Sequence, residues 1–251
     1  MSRETSEIYD LAAKKWVRHR QESLSDFTGR PALFDACGDV AGQHILDLGC
    51  GEGYCARIFA ERGAQKIEGI DISKKMVSEA ELAASGDRCQ SFQSGDITKL
   101  PYDNEEFDLA VGCFVYNYLS IDEMCESFAE VRRVLKNSGK FIFCVPHPAF
   151  PFIRLEKDPP FFFDFGSKGY FSARDQNTQG KIWRRDNQSL PVEMHHKLIS
   201  DYFSKLAEVG FSKMPLVREL GVDEDLMRFD NSFFGPLFDI PLHMLFSVQK
   251  N

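Results

Sequence analysis

Three glycines in the segment DLGCGEGY, Gly49, Gly51 and Gly53, follow a short apolar run that starts at His44. Lacking a Cβ, they let backbone come close to a ligand and permit positive φ. Their spacing is G-x-G-x-G, with Tyr54 where a third glycine of a dinucleotide loop would stand. A pyrophosphate resting on a helix N-terminus wants G-x-G-x-x-G, so the loop suits a nucleoside without a pyrophosphate and argues against a nicotinamide-dependent dehydrogenase. Two carboxylates follow in order. Asp71 closes KIEGID, 24 residues after Asp47, and is placed to accept hydrogen bonds from both hydroxyls of a ribose. Asp96, in SGDITKLP, is placed to accept from an exocyclic adenine amine, with Ile72 and Ile97 as apolar walls and Met76 in the same pocket. Each feature alone is as often a turn or a helix cap. Their joint order points to one nucleoside held across three strand tips.

The elements that must position these residues alternate. HILDLGC, KIEGIDIS, CQSFQSGDI, FDLAVGCFVYNYL and KFIFCVP have strand length and character, and helical patterns stand between them. Ser73 is read as the cap of the helix that carries Met76, Val77 and Ala80 inward. Met124, Phe128, Val131 and Leu135 form the stripe of another helix, which Asn137 and Gly139 stop. Such alternation predicts a doubly wound, mostly parallel α/β sheet. Residues 1–40 read as an N-terminal helical cap and 44–146 as the cofactor-binding core. Residues 147–194 break the rhythm with five prolines, many aromatics and no steady period, and are read as a lid inserted at the carboxyl end of a strand. Residues 195–251 resume with a helix from His195 to Gly210, a strand in SKMPLVREL, a loop over GVDEDLMRFDNSFFGP and a closing strand from Ile240. All 251 residues are read as one domain.

Composition narrows the function. Lys plus Arg number 30 against 38 Asp plus Glu, a formal net charge of −8, so a phosphate backbone is a poor partner. The seven cysteines are scattered, without a CxxC pair, which predicts reduced thiols and no metal site. No signal-peptide pattern and no apolar run of membrane-spanning length is present, so a cytoplasmic protein is expected.

The segments HILDLGCGEGY, IEGIDISKKMV, FQSGDITKLPYDNEEFDLAVGCFVYNYL and VLKNSGKFIFCVPHP resemble the class I S-adenosylmethionine-dependent methyltransferases, over residues 44–146. The resemblance implies a Rossmann-like sheet of seven strands with the last antiparallel, S-adenosyl-L-methionine as cofactor and S-adenosyl-L-homocysteine as product. It implies cofactor roles for Asp47, the three glycines, Asp71, Ile72, Met76, Asp96 and Ile97, and backbone around Cys113 and Phe114 lining the sulfonium. Tyr9 and Trp16, in YDLAAKKW, resemble a segment that closes over the methionine end of the cofactor. His196 aligns with a histidine-containing helix start in small-molecule members.

Methyl transfer from a sulfonium is an in-line displacement, so the protein chiefly orients the partners and excludes water. A hydroxyl or amine acceptor is helped by a base. His147, fixed between prolines in VPHP after the fifth strand, is the leading candidate, and His196 the second. His19, His44 and His243 have no supporting context. Tyr116 and Tyr118 follow the fourth strand and are assigned to the acceptor with Phe150 and Tyr170. The crowded phenylalanines of 147–194 suggest a small, partly apolar or aromatic acceptor, and Arg154 a partner for an acidic group on it. Methylation of oxygen or nitrogen on such a metabolite is expected. A methyltransferase acting on RNA or protein, and a binding module that has lost transfer, are the alternatives.

Overall fold

The computed structural model describes Tyr9, Asp10, Ala13, Trp16, Val17 and residues 21–251. The rest of IYDLAAKKWV, and His19, lie outside the described residues. In chain order the strands are β1 (His44–Leu48), β2 (Lys66–Asp71), β3 (Gln90–Ser94), β4 (Phe107–Cys113), β5 (Leu135–Pro146), β6 (Phe161–Phe163), β7 (Asn177–Trp183), β8 (Ser189–His195), β9 (Leu216–Leu220) and β10 (His243–Gln249). The helices are α1 (Leu24–Phe27), α2 (Gly29–Cys37), α3 (Tyr54–Glu61), α4 (Lys74–Ala83), α5 (Ile121–Val134), α6 (Phe150–Ile153), α7 (Ile199–Glu208), α8 (Glu224–Phe229) and α9 (Asn231–Phe234).

The main sheet has seven strands in the order β3-β2-β1-β4-β5-β10-β9. β1 to β5 pair in parallel, and β10 runs antiparallel to both its neighbours. The predicted doubly wound sheet with an antiparallel last strand is thus the one observed. Strand order reverses between β1 and β4, which opens a crevice at their carboxyl ends where open α/β sheets bind ligands. Side chains alternate between the two faces, as a pleated strand requires. Leu46, Leu48, Phe141, Phe143 and Phe246 join α5 and α7 in one core. Ile45, Val111, Ile142 and Leu245 join α2 and α3 in the other. Each fully buried Phe of this set contributes about 1.5–3 kcal/mol.

Local chemistry sets the helix starts. Ser73 Oγ accepts from Met76 N at 3.1 Å, as its sequence position implies. Ser120 and Glu123 form a reciprocal capping box, with Glu123 N to Ser120 Oγ at 3.2 Å and Ser120 N to Glu123 Oε2 at 2.9 Å. The helix from α5 ends at Val134, ahead of Asn137, because the chain enters β5 at Leu135.

The later chain differs more from expectation. Residues 147–194, read as aperiodic, hold a separate antiparallel sheet, β6-β7-β8. Leu190, Val192 and Met194 of β8 are buried at alternate positions, and Val192 and Met194 build a third core with Phe150, Phe161, Phe163, Phe234 and Leu237. The helix expected from His195 begins at Ile199, because His195 still pairs with Asn177 in β8. The expected loop 221–236 contains α8 and α9, each started by an aspartate whose side chain accepts a backbone N–H, Asp223 from Leu226 and Asp230 from Phe233. Among the described residues no helix is long and apolar enough to cross a membrane.

Candidate active site

A cleft opens at the carboxyl edge of β1, β2 and β4, as the reversal of strand order dictates. Its floor is the glycine loop. Gly49 and Gly51 have φ of +65° and +55°, which L side chains avoid. A Cβ on Gly49 would lie 2.5 Å from Val115 Cγ2, and one on Gly51 would lie 3.3 Å from Met76 Cε. Asp71 braces the loop: its Oδ2 accepts from Gly51 N and its Oδ1 from Ser73 N, both at 2.9 Å. Burial raises the Asp71 carboxyl, and the two backbone donors offset part of that. Ile72 and Met76 continue the wall beyond it.

Four polar atoms in the walls of this cleft are buried without a hydrogen-bond partner among the described residues: Asp47 Oδ2, Arg30 Nε, Asn117 Oδ1 and Trp16 Nε1. Folded proteins satisfy nearly all such atoms, so four around one cavity mark missing ligand groups. Asp47 is 1% exposed, and burial, with the nearby Cys55 and Asp71, holds its carboxyl well above the ordinary range. Across the loop Arg30 extends from α2. It is anchored by Asp26 Oδ1 at 2.8 Å and lies over the rings of Phe114 and Tyr54 at 5.6 and 5.7 Å. A fixed cation facing an unpaired carboxylate fits the carboxylate and ammonium of an amino-acid tail. Asp71, next along the edge, fits a ribose. The residues present therefore suit S-adenosylmethionine.

Tyr9 and Trp16 line one side of the cleft. Tyr9 OH donates to Tyr118 OH, and Ser73 Oγ donates to Asp10 Oδ1 at 2.5 Å. The Tyr9 ring meets Trp16 and Tyr118 with centroids 5.6 and 5.5 Å apart. Beyond Cys113 and Phe114 the walls turn apolar, with Leu24, Phe161, Phe163, Ile182 and Val192 drawn from α1 and the small sheet. Phe114 has φ of +60°, uncommon for a bulky residue, and its N–H donates to Cys144 O at 2.8 Å. His243 stands between the two regions. Its Nδ1 is 2.9 Å from Thr28 Oγ1, and burial, with Arg30 and His147 nearby, pushes its pKa down to about 3.

Several residues chosen from sequence stand elsewhere. His147 is buried, with Nε2 2.8 Å from Glu219 Oε1 and Nδ1 accepting from Ala149 N at 3.2 Å. The chain leaving β5 turns it toward β9 and away from the cleft. His196 is fully buried, its Nε2 donating to Tyr170 O at 2.8 Å among the rings of Phe152, Phe165 and Tyr170. Burial lowers its pKa. Tyr170 OH accepts from Ile199 N at 3.0 Å, a brace at the start of α7. Tyr116 and Ile97 belong to the main core. Phe150 stacks on Phe161 at 4.0 Å behind the cleft wall. Arg154 ties its own loop, donating to Phe161 O and Pro159 O at 3.0 Å. Gly53 packs toward Ala80 and Phe92. Asp96 Oδ1 accepts from Thr98 N and Oγ1 at 3.0 Å, and Asp96 is not a wall of the cleft.

Among the cleft residues that escaped the sequence reading are Arg30, Asn117 and His243. Arg30 has an ordinary local partner in Asp26, four residues earlier, and only the approach of Phe114 and Tyr54 from other elements marks it as a cleft residue. His243 was placed in a closing strand, but β10 is antiparallel, so its first residue, level with Pro146, lies at the ligand edge. Among the described residues, His44, Glu68 and Glu106 bring ligand atoms within 4.8 Å of one another. They sit at the opposite end of β1, and Glu68 already pairs with His44 and Lys66.

Residues 45–139 match the family model described as Methyltransferase domain. A demethylmenaquinone methyltransferase of Clavibacter sepedonicus is 31% identical over 135 residues, 53% of this chain and 54% of its own length. An aklanonic acid methyltransferase of Streptomyces sp. (strain C5) is 28% identical over 164 residues, 62% of this chain and 73% of its own. The chain spans about half the length of the first of these. The crystal structure of an S-adenosylmethionine dependent methyltransferase from Mesorhizobium loti superposes with a TM-score of 0.66 at 24% identity, covering 88% of this chain and 96% of that one.

Proposed function

From the premise that this chain is a class I S-adenosylmethionine-dependent methyltransferase, we propose that it methylates an oxygen or nitrogen of a small, partly apolar or aromatic metabolite. The observation that carries this reading is the continuity of one cleft. At one end are Arg30, Asp47 and Asp71. At the other are Phe161, Phe163, Ile182 and Val192 from the insertion. Cys113 and Phe114 lie between. A cofactor seated on the loop and an acceptor seated on the aromatic walls share that space.

The bound cofactor supplies a methyl group already activated on a sulfonium. Arg30 and Asp47 hold the two ends of its amino-acid tail, and Asp71 accepts from its ribose while keeping Gly51 N and Ser73 N. The small sheet, with Tyr9 and Trp16, excludes water and sets the acceptor's approach, which is most of what such a displacement asks of the protein. Rings near the cationic centre add about 0.5–2 kcal/mol of attraction. The relatives named demethylmenaquinone methyltransferase and aklanonic acid methyltransferase carry small-molecule acceptors in their names, which supports a small-molecule acceptor here. The formal charge of −8 and the apolar walls of the acceptor end speak against RNA as substrate.

The test is incubation with methyl-labelled S-adenosylmethionine in a total cell extract, followed by size separation. Label is expected in the low-molecular-weight fraction. Label confined to protein or RNA overturns the acceptor class, and failure to form S-adenosylhomocysteine in any extract overturns transfer.

A further inference from the structure

Resting on the methyl-transfer reading above, we propose that His243 Nε2 accepts the proton of an acceptor hydroxyl, so that the cleft is built for an O–H group carried on an apolar ring system. One proton on Thr28 sets the tautomer of the ring. Thr28 Oγ1 donates to Leu24 O at 3.0 Å, which uses its only hydrogen. At 2.9 Å from His243 Nδ1 the same oxygen can only accept. Nδ1 therefore carries the ring proton, and Nε2 keeps a lone pair.

The ring is held in place as well as in tautomer. Phe114 meets it edge-on at 4.7 Å, and Phe161 lies nearly parallel to it at 6.2 Å, 16° apart. With the Nδ1 edge turned to Thr28, the other edge faces the cleft that His243 lines. Nε2 has no partner among the described residues. The charged and titratable neighbours are Arg30 from α2 and His147 from the turn after β5. Burial first, and then these neighbours, keep the imidazole neutral, and a neutral imidazole accepts.

In one turnover the acceptor oxygen forms its bond to the methyl carbon as the carbon–sulfur bond breaks and leaves its electron pair on sulfur. The methylated oxygen, still protonated, is far more acidic than an imidazolium. Its proton ends on Nε2, and the positive charge that arrived on sulfur leaves on the ring and then with solvent. Thr28 is a positioning residue in this scheme, because it acts only by fixing the tautomer. The cleft that His243 lines also carries Leu24, Phe161 and Val192, apolar walls for the ring system that bears the hydroxyl.

The test uses 15N-labelled full-length protein saturated with S-adenosylhomocysteine. A long-range proton–nitrogen correlation reads which ring nitrogen of His243 bears hydrogen. 1-Naphthol is then added as a hydroxylated ring probe, with naphthalene as its control. The expected result is a protonated Nδ1 and a bare Nε2 whose resonance moves with 1-naphthol and stays put with naphthalene. His243→Asn keeps a donor toward Thr28 but has no atom at the Nε2 position. It should bind 1-naphthol about two- to tenfold more weakly, the worth of one neutral hydrogen bond, with naphthalene and S-adenosylhomocysteine affinities unchanged. A protonated Nε2, an Nε2 that ignores 1-naphthol, or a folded His243→Asn protein that binds both probes as the wild type does would each overturn the proposal while leaving methyl transfer intact. The wild-type spectrum decides alone if that variant does not fold. Absence of S-adenosylhomocysteine binding fails the parent reading, and this one with it.

Discussion

Replacing Asp47 by Asn should stabilise the empty protein and weaken its cofactor binding at the same time. The carboxylate is 1% exposed, and its Oδ2 has no partner among the described residues. Such a group is costly to bury and is kept where a ligand cation will meet it. Asn has nearly the same shape but no charge. The lost contact is a hydrogen bond between ionised groups, worth about 1.5–3 kcal/mol, so the dissociation constant for S-adenosylhomocysteine should rise about 10- to 150-fold. The pH dependence follows from burial, which, with Cys55 and Asp71, raises the Asp47 carboxyl above its ordinary 3.8. Between 3.8 and that raised value the folded state holds a proton the unfolded state has released, so wild-type stability falls as pH rises through the window. Above the window the penalty is complete. Asn has no proton to lose, and the melting-temperature advantage of Asp47→Asn should therefore grow from acid to neutral pH. Calorimetric titration and thermal melts at several pH values measure both. A variant that melts lower than wild type at neutral pH, or binds S-adenosylhomocysteine as tightly, refutes the reasoning.

Arg30→Met removes the cation of a pair in which Asp26 is 1% exposed, and should cost ~3 kcal/mol of stability, the low end for a broken buried pair, because Ser23 N still donates to Asp26 at 2.8 Å. The same variant should bind S-adenosylhomocysteine at least ~10-fold more weakly; denaturant melts and titration check the two effects separately. Lys197 is fully buried, and burial pushes its pKa down from 10.5 to about 7. Between those values the unfolded chain holds the extra proton, so stability should rise from pH 7 to 10.5, and Lys197→Met should flatten that rise in urea midpoints taken across the range. Gly49→Ala puts a Cβ 2.5 Å from Val115 Cγ2 at a φ of +65°. It should destabilise by at least ~1–2 kcal/mol from backbone strain alone, and a companion Val115→Ala, which relieves only the clash, should restore stability in part.

Residues 44–146 could be read from the chain because their signals are local. A buried parallel strand is a short apolar run, a glycine loop announces its own positive φ, and Ser73 or Ser120 caps the helix that follows it by accepting from a backbone N–H three residues on. Asp47, Gly49, Gly51, Asp71, Ile72 and Met76 fall in that stretch, and all six line the cleft. The side chains that sequence placed poorly depend on where the chain turns next. His147 has the right strand and the wrong direction, since Glu219 from a strand 72 residues on draws it away. His196 looks like a helix start and is instead walled in by Phe152, Phe165 and Tyr170. His243 lies in a strand expected from sequence, but only its pairing level with Pro146 shows that it reaches the ligand edge. In residues 147–194, the alternation of Leu190, Val192 and Met194 was present but masked by proline and by the very short β6.

Calorimetric titration of the full chain with S-adenosylhomocysteine tests the central claim most directly, that one cleft at the β1–β4 crevice seats this nucleoside by its amino-acid tail and ribose. One saturable site per chain is predicted, weakened more than ~10-fold by Asp71→Ala. A flat titration of folded protein, or equal affinity in that variant, contradicts it.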